Sequence, residues 1–203
     1  MHDYSMDRHP KEKILFWLAF AAIMATPYIN AAFTGLEDYL GGYALPITGL
    51  SVFIVFRTLF WVFDRHLWKY KFIRKVLLMP DLNGRWVCEG RTDIKNGSDT
   101  NYEWVGEINI TQSWSKIIIR LKTKNSESLS TAASIRRIDS SGFRVLYVYE
   151  NDPKKVEGGL TKHDGTADVT FNFDCEKAEG NYYTDEHRGT VGALKLRRHK
   201  NEL

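Results

Sequence analysis

The first third of the chain is apolar in long blocks, whereas the rest alternates. Two apolar runs, Ile14 to Phe33 and Pro46 to Phe63, stand back to back, separated by Thr34 to Ala44 with Gly41-Gly42 at its centre. Each run matches the roughly 17–25 helical residues that a bilayer core requires. The pattern predicts a transmembrane helical hairpin. Lys and Arg beside membrane spans favour the cytoplasmic side. Arg8, Lys11 and Lys13 precede the first run, and Arg65, Lys69, Lys71, Arg74 and Lys75 follow the second, while the loop between carries only Glu37 and Asp38. Both chain ends are therefore expected in the cytoplasm. A signal peptide has an apolar core of only about 7–15 residues before a small-residue cleavage site, and the first run fits neither feature.

Within the first run, Ala19, Ala21, Ala22 and Ala25 allow close helix approach, and Pro27 predicts a kink. Arg57 is costly at mid-membrane, yet it lies six residues from Phe63 and can snorkel to the inner headgroups. From Asp64 to Met79, Leu67, Trp68, Phe72 and Val76 interleave with the basic residues, which predicts that the helix continues as an interfacial extension.

At Pro80-Asp81 the period changes to strict alternation. Eight strands are expected, at Arg85 to Gly90, Tyr102 to Gln112, Ser115 to Thr123, Ser128 to Ile138, Phe143 to Glu150, Ala167 to Asp174, Lys177 to Tyr183 and Arg188 to Arg197. Turn residues mark the breaks, among them Asn96-Gly97, Asp139 to Gly142, Gly158-Gly159 and Asp164-Gly165. Eight alternating strands without intervening helices fit an antiparallel up-and-down β-barrel, which hides its edges by closing. A two-sheet sandwich is the alternative. The expected fold class is thus a membrane-anchored all-β protein: a two-helix transmembrane hairpin over 1–79 and a cytoplasmic eight-stranded antiparallel barrel over 80–203.

Composition narrows the chemistry. Mean hydropathy is −0.35 despite the apolar start, so the C-terminal part is strongly polar. A net charge of +3 argues against nucleic-acid polymers as the partner. Cys88 and Cys175 lack the spacing of a metal pair, and the six histidines are scattered. No GxSxG, Cys/His nucleophile or phosphate-cradling glycine loop is present. The expectation is a binding protein, not an enzyme, with no cofactor and no metal.

An eight-stranded barrel has room for side chains or one small ligand. Strand parity turns inward Trp86, Cys88, Trp104, Tyr147, Tyr182 and Thr190, and on the fourth expected strand Thr131, Ala133, Ile135 and Arg137. A ligand with bases and phosphates needs stacking faces and cationic donors together. The candidate ligand-binding residues are therefore Trp104, Arg137, Tyr147, Tyr182, Arg188 and Thr190.

Gly84-Arg85-Trp86 has the G-x-W opening of lipocalin-like barrels. Gly180-Asn181-Tyr182 followed by Thr190-Val191-Gly192-Ala193-Leu194-Lys195-Leu196 gives a G-x-Y then T-x-G-x-L-x-L cadence. With a two-helix anchor and this length, the chain resembles the two-transmembrane β-barrel effectors of bacterial CBASS anti-phage systems. The resemblance implies a cyclic di- or oligonucleotide ligand, and a cognate cyclic-nucleotide synthase met only through its product. It also implies contact with inner-membrane lipids, with homo-oligomerisation and membrane disruption on activation. Two other readings remain open: a tethered barrel for a lipid or other apolar molecule, and an adaptor whose packed barrel is a docking surface.

Overall fold

The computed structural model describes residues 1–7, 9–39, 51–94, 102–153, 162–185 and 189–199. The chain forms two compact units, His9–Leu77 and a second made of Met1–Arg8 with Leu78–Leu203. The division was expected at residue 80; the units part between Leu77 and Leu78, and the first eight residues belong with the β unit.

In the helical unit, α1 spans Lys11–Tyr39 and α2 spans Val52–Arg65. Helix α1 has 29 residues, about 44 Å at 1.5 Å per residue. It is the one helix among the described residues long and apolar enough to cross a membrane. It runs through Thr34–Tyr39, where a loop was expected. The Gly41-Gly42 turn lies outside the described residues. Thr26 donates to the Ala22 carbonyl at 2.7 Å and Thr58 to that of Ile54 at 2.9 Å, so these hydroxyls are satisfied on their own helices, as an apolar surrounding demands. Phe16, Trp17 and Phe53 are more than half exposed, and Arg57 is also exposed.

Helix α2 begins at the cap Ser51, whose hydroxyl accepts from Ile54 N–H. It stops at Arg65 rather than continuing to Met79. His66 leaves helical geometry, a 3-10 turn covers Leu67–Lys69, and α3 covers Lys71–Leu77. Trp68 in the 3-10 turn is completely buried, while Phe72 and Val76 on α3 are exposed.

The β unit contains nine strands, not eight: β1 His2–Met6, β2 Gly84–Ile94, β3 Tyr102–Gln112, β4 Lys116–Thr123, β5 Ser126–Ile138, β6 Gly142–Pro153, β7 His163–Phe171, β8 Lys177–Thr184 and β9 Thr190–Arg198. Strands β2 to β9 follow one another as antiparallel neighbours, and β9 pairs back onto β2 from Trp86↔Arg198 to Ile94↔Thr190. The hydrogen-bonded strands thus close into a ring, which leaves no unpaired outer edge. The extra strand β1 sits between β4 and β5, antiparallel to the first and parallel to the second. Its His-Asp-Tyr-Ser-Met alternation is too short to stand out beside the polar residues that follow.

Alternation otherwise sets the inner face as expected: in β7 the buried residues are His163, Gly165, Ala167, Val169 and Phe171. Strand β5 departs from it. A bulge between Ser130 and Ala132 shifts the register against β6, so Ser128 and Ser130 face in before it, Ile135 faces in after it, and Thr131 is exposed. The sequence carries no mark of the extra residue.

One end of the ring is plugged. Leu82, Trp86 and Phe171 are buried there, and the Trp86 and Phe171 rings meet edge to face, 5.0 Å apart. The Arg198 guanidinium stacks 4.6 Å above Trp86 and donates to the carbonyls of Cys175, Asn83 and Asp81 at 2.6–2.8 Å. The G-x-W opening is thus the floor of the ring. Gly84 adopts φ +125°, a backbone conformation that other residues rarely reach.

Candidate functional site

The other end is open. A cavity of about 490 Å³ enters the ring there, walled by the late residues of β2, β4, β6 and β8 and the early ones of β3, β5, β7 and β9. Its size lies within the ~300–1,000 Å³ of small-molecule sites.

Four of the six candidate residues meet in it. Trp104 from β3, Tyr147 from β6, Tyr182 from β8 and Thr190 from β9 all line the cavity. Arg137 does not. It sits near the end of β5, opposite Phe143, where it pairs with Asp139 at 3.4 Å and lies 5.7 Å above the Phe173 ring, at the plugged end of the ring. Arg188 lies outside the described residues.

The aromatic wall is held by hydrogen bonds and by glycines. The Trp104 and Tyr182 rings meet edge to face with centroids 6.1 Å apart. Trp104 Nε1–H donates to Thr92 Oγ1 at 3.0 Å, and the same hydroxyl is bonded to Tyr182 OH. Opposite Trp104, Tyr149 and Tyr182 in the ladders stand Gly90, Gly165 and Gly192. A Cβ at any of these glycines would overlap the ring across from it. Each ring therefore lies flat over the neighbouring strand instead of standing into the cavity. This also explains Asp164-Gly165, expected as a turn but found inside β7: the glycine serves close approach, not chain reversal.

Between the rings the wall is polar. Thr92, Ser128, Asn151, His163 and Thr190 are all buried at this end. Asn151 and His163 stand opposite each other on β6 and β7. Thr184 Oγ1 accepts from Thr190 N–H at 2.9 Å and shares a hydrogen bond of the same length with Thr190 Oγ1. The first four were not expected here: Asn151 and His163 fell outside the expected strands, Thr92 lay beyond the end of the first, and the β5 bulge reversed the parity that would reveal Ser128. Their only signal is that polar residues recur at inward positions near the same ends of successive strands.

Two buried groups, Tyr147 in the cavity lining and Cys88 near it, stay uncharged. Burial pushes the Cys88 thiol up to about 12, with Glu89 adding to it. Burial also raises the Tyr147 phenol, helped by Cys88 and Tyr149. Both groups keep their protons at neutral pH. Among the described residues lining the cavity, the full charges belong to Glu103 and Lys124, both exposed. Such a site offers flat faces for stacking, hydroxyl and amide groups for base edges or sugar hydroxyls, and charge only at exposed positions.

Two family models match the chain: "Cap15, cyclic dinucleotide receptor domain" over residues 77–198 and "Cap15, TM helices" over residues 12–69. The CD-NTase-associated protein 15 of Yersinia aleksiciae is 40% identical over 136 residues, 67% of this chain and 64% of that protein. The match thus spans a little under two thirds of the relative's length. With a receptor-domain match over the β ring and a second over the helices, this chain belongs to the Cap15 family.

Proposed function

We propose that this chain is a CBASS effector: the β unit is a barrel that binds a cyclic di- or oligonucleotide in its open cavity, and occupancy gathers copies whose helices disrupt the bacterial inner membrane and end an infection by cell death. The observation that carries the reading is the cavity, where stacking rings and buried hydrogen-bonding groups share one wall within the segment matched by the receptor model. Base stacking on an aromatic ring contributes about 1–3 kcal/mol per base, and Trp104, Tyr147, Tyr182 and Thr190 are the residues proposed to hold the ligand. Arg188 is the proposed phosphate partner. The buried Thr92, Ser128, Asn151 and His163 disfavour a purely apolar ligand, since an alkyl chain would leave their polar groups unanswered.

The membrane reading is a multi-pass anchor in the inner membrane with both chain ends in the cytoplasm. What supports it is that β1 and β2–β9 belong to one hydrogen-bonded ring. A ring built from residues on both sides of the helices in the sequence favours one side of the membrane for the segments before α1 and after α3, and with it an even number of crossings. Two helices cannot enclose a water-filled path, so damage to the bilayer needs several copies. A ligand that binds the gathered form better shifts that equilibrium by its differential affinity and by no more.

The test is calorimetric titration of the full-length chain in detergent with a panel of cyclic dinucleotides and trinucleotides, beside a fatty acid. Saturable binding of one cyclic nucleotide is expected. Binding of the fatty acid alone, or of nothing, overturns the reading. Reconstituted into anionic vesicles, the chain is expected to release trapped dye only when that nucleotide is added, with a steep concentration dependence.

A further inference from the structure

The family models cover 12–69 and 77–198, so the strand His2–Met6 falls in neither. Its seat is specific. Strands β4 and β5 pair directly only over Arg120↔Leu129, Leu121↔Ser128 and Lys122↔Glu127, and then part. Into the fork runs β1, with His2 and Asp3 opposite Ile117 and Lys116 on one side, and Tyr4, Ser5 and Met6 opposite Ala133, Ser134 and Ile135 on the other. Asp7 N–H adds a bond of 3.1 Å to the Ile135 carbonyl.

Side chains lock the strand at both ends of the fork. At the crotch, Ser130 Oγ accepts from Ile119 N–H at 2.9 Å and shares a 2.8 Å hydrogen bond with His2 Nε2. Toward the plugged end, the Tyr4 hydroxyl donates to the Trp114 carbonyl at 3.1 Å and accepts from Gln112 Nε2 at 3.2 Å. Gln112 is itself buried and takes the Leu82 N–H on its Oε1 at 2.9 Å. The Tyr4 and Met6 side chains pack on the core, while Asp3 and Ser5 are exposed. The β5 bulge belongs to the same design, because it falls where β5 leaves β4.

We infer that the cleft between β4 and β5 is a strand-acceptor site, that its ligand is the chain's own segment His2–Met6, and that this docked strand fastens the receptor to the first membrane helix. The site works by β-augmentation: main-chain bonds give affinity, and the seats of His2, Tyr4 and Met6 give register. Without the strand, the inner edges of β4 and β5 lose their partners beside the buried Ile117 and Ile135. Only Asp7–Pro10 separate the strand from the start of α1 at Lys11. Leu121 and Ser128, one step from the pair Arg120↔Leu129 at which the fork opens, also line the cavity, so cleft and cavity share the same two strands.

The test uses the full-length chain and needs no nucleotide. In membranes, S5C with S134C is bridged by oxidation or a short bis-maleimide, against a low background because Cys88 and Cys175 are both buried. A cross-link within single chains is expected. A cross-link that joins two chains, or none at all, overturns the inference. In detergent, deletion of residues 2–6 is expected to lower the thermal midpoint by several degrees, and a synthetic peptide of residues 1–8 to restore it saturably, while the same peptide with Tyr4→Ala does not. An unchanged midpoint, or a peptide without effect, rejects the site. Should the deletion fail to yield folded protein, the cross-link still decides.

Discussion

Glycine and aromatic residues divide the work at the mouth of the ring. Gly90 stands opposite Trp104, and a methyl group there would overlap the indole. Gly90→Ala is therefore expected to swing that ring into the cavity. Overpacking of this kind costs about 1–3 kcal/mol of stability, and nucleotide affinity should fall at least tenfold, about 1.4 kcal/mol. Titration beside a thermal midpoint separates the two effects. Tyr182→Ala removes a stacking face and should weaken binding by roughly ten- to a hundredfold, from about 1–3 kcal/mol per stacked base. Arg137→Ala is expected to leave the titration curve unchanged, because its guanidinium lies beside Asp139 and Phe173, away from the cavity. A loss of binding in that variant would place the ligand elsewhere.

Strands carry this molecule's pH dependence. Cys88 on β2 and Tyr147 on β6 both hold their protons beyond the pH at which an unfolded chain releases them, the thiol from an ordinary 9.0 to about 12. Across that interval the folded state binds more protons than the unfolded one. Stability is therefore complete below pH 9 and falls as pH rises toward 12. Urea midpoints measured along this range should decline, and Cys88→Ala should flatten the decline. On the acid side, Asp168 lies below the usual carboxylate range because Arg144 hydrogen-bonds it. That pair is partly exposed, so its loss as pH falls should matter little.

At the scale of the whole molecule, chain order matters more than any one contact. The ring is assembled from residues on both sides of the helical unit in the sequence, so β1 cannot be seated until β4 and β5, more than a hundred residues later, have been made. A fragment starting at residue 78 is expected to lack one stave of the ring. Compared with the full chain, it should show faster amide exchange in Lys116–Ile119 and Ala133–Ile138, read by mass spectrometry. Equal protection in both would mean that the fork closes by itself.

The sequence by itself determined the change to alternation after Pro80, the antiparallel order of β2–β9 and the inward parity of Trp104, Tyr147, Tyr182 and Thr190, because alternation and turn chemistry are local and repeat along the chain. It also carried the resemblance to the family that the comparisons then matched. Only the tertiary structure decided where α2 stops, that Gly165 backs a ring instead of turning the chain, and that Asn151 and His163 face each other inside. It alone decided that His2–Met6 is part of the ring, because that depends on strands more than a hundred residues apart, and that a bulge turns Ser128 inward, because that depends on how β5 is set against β6. No local pattern records such a meeting.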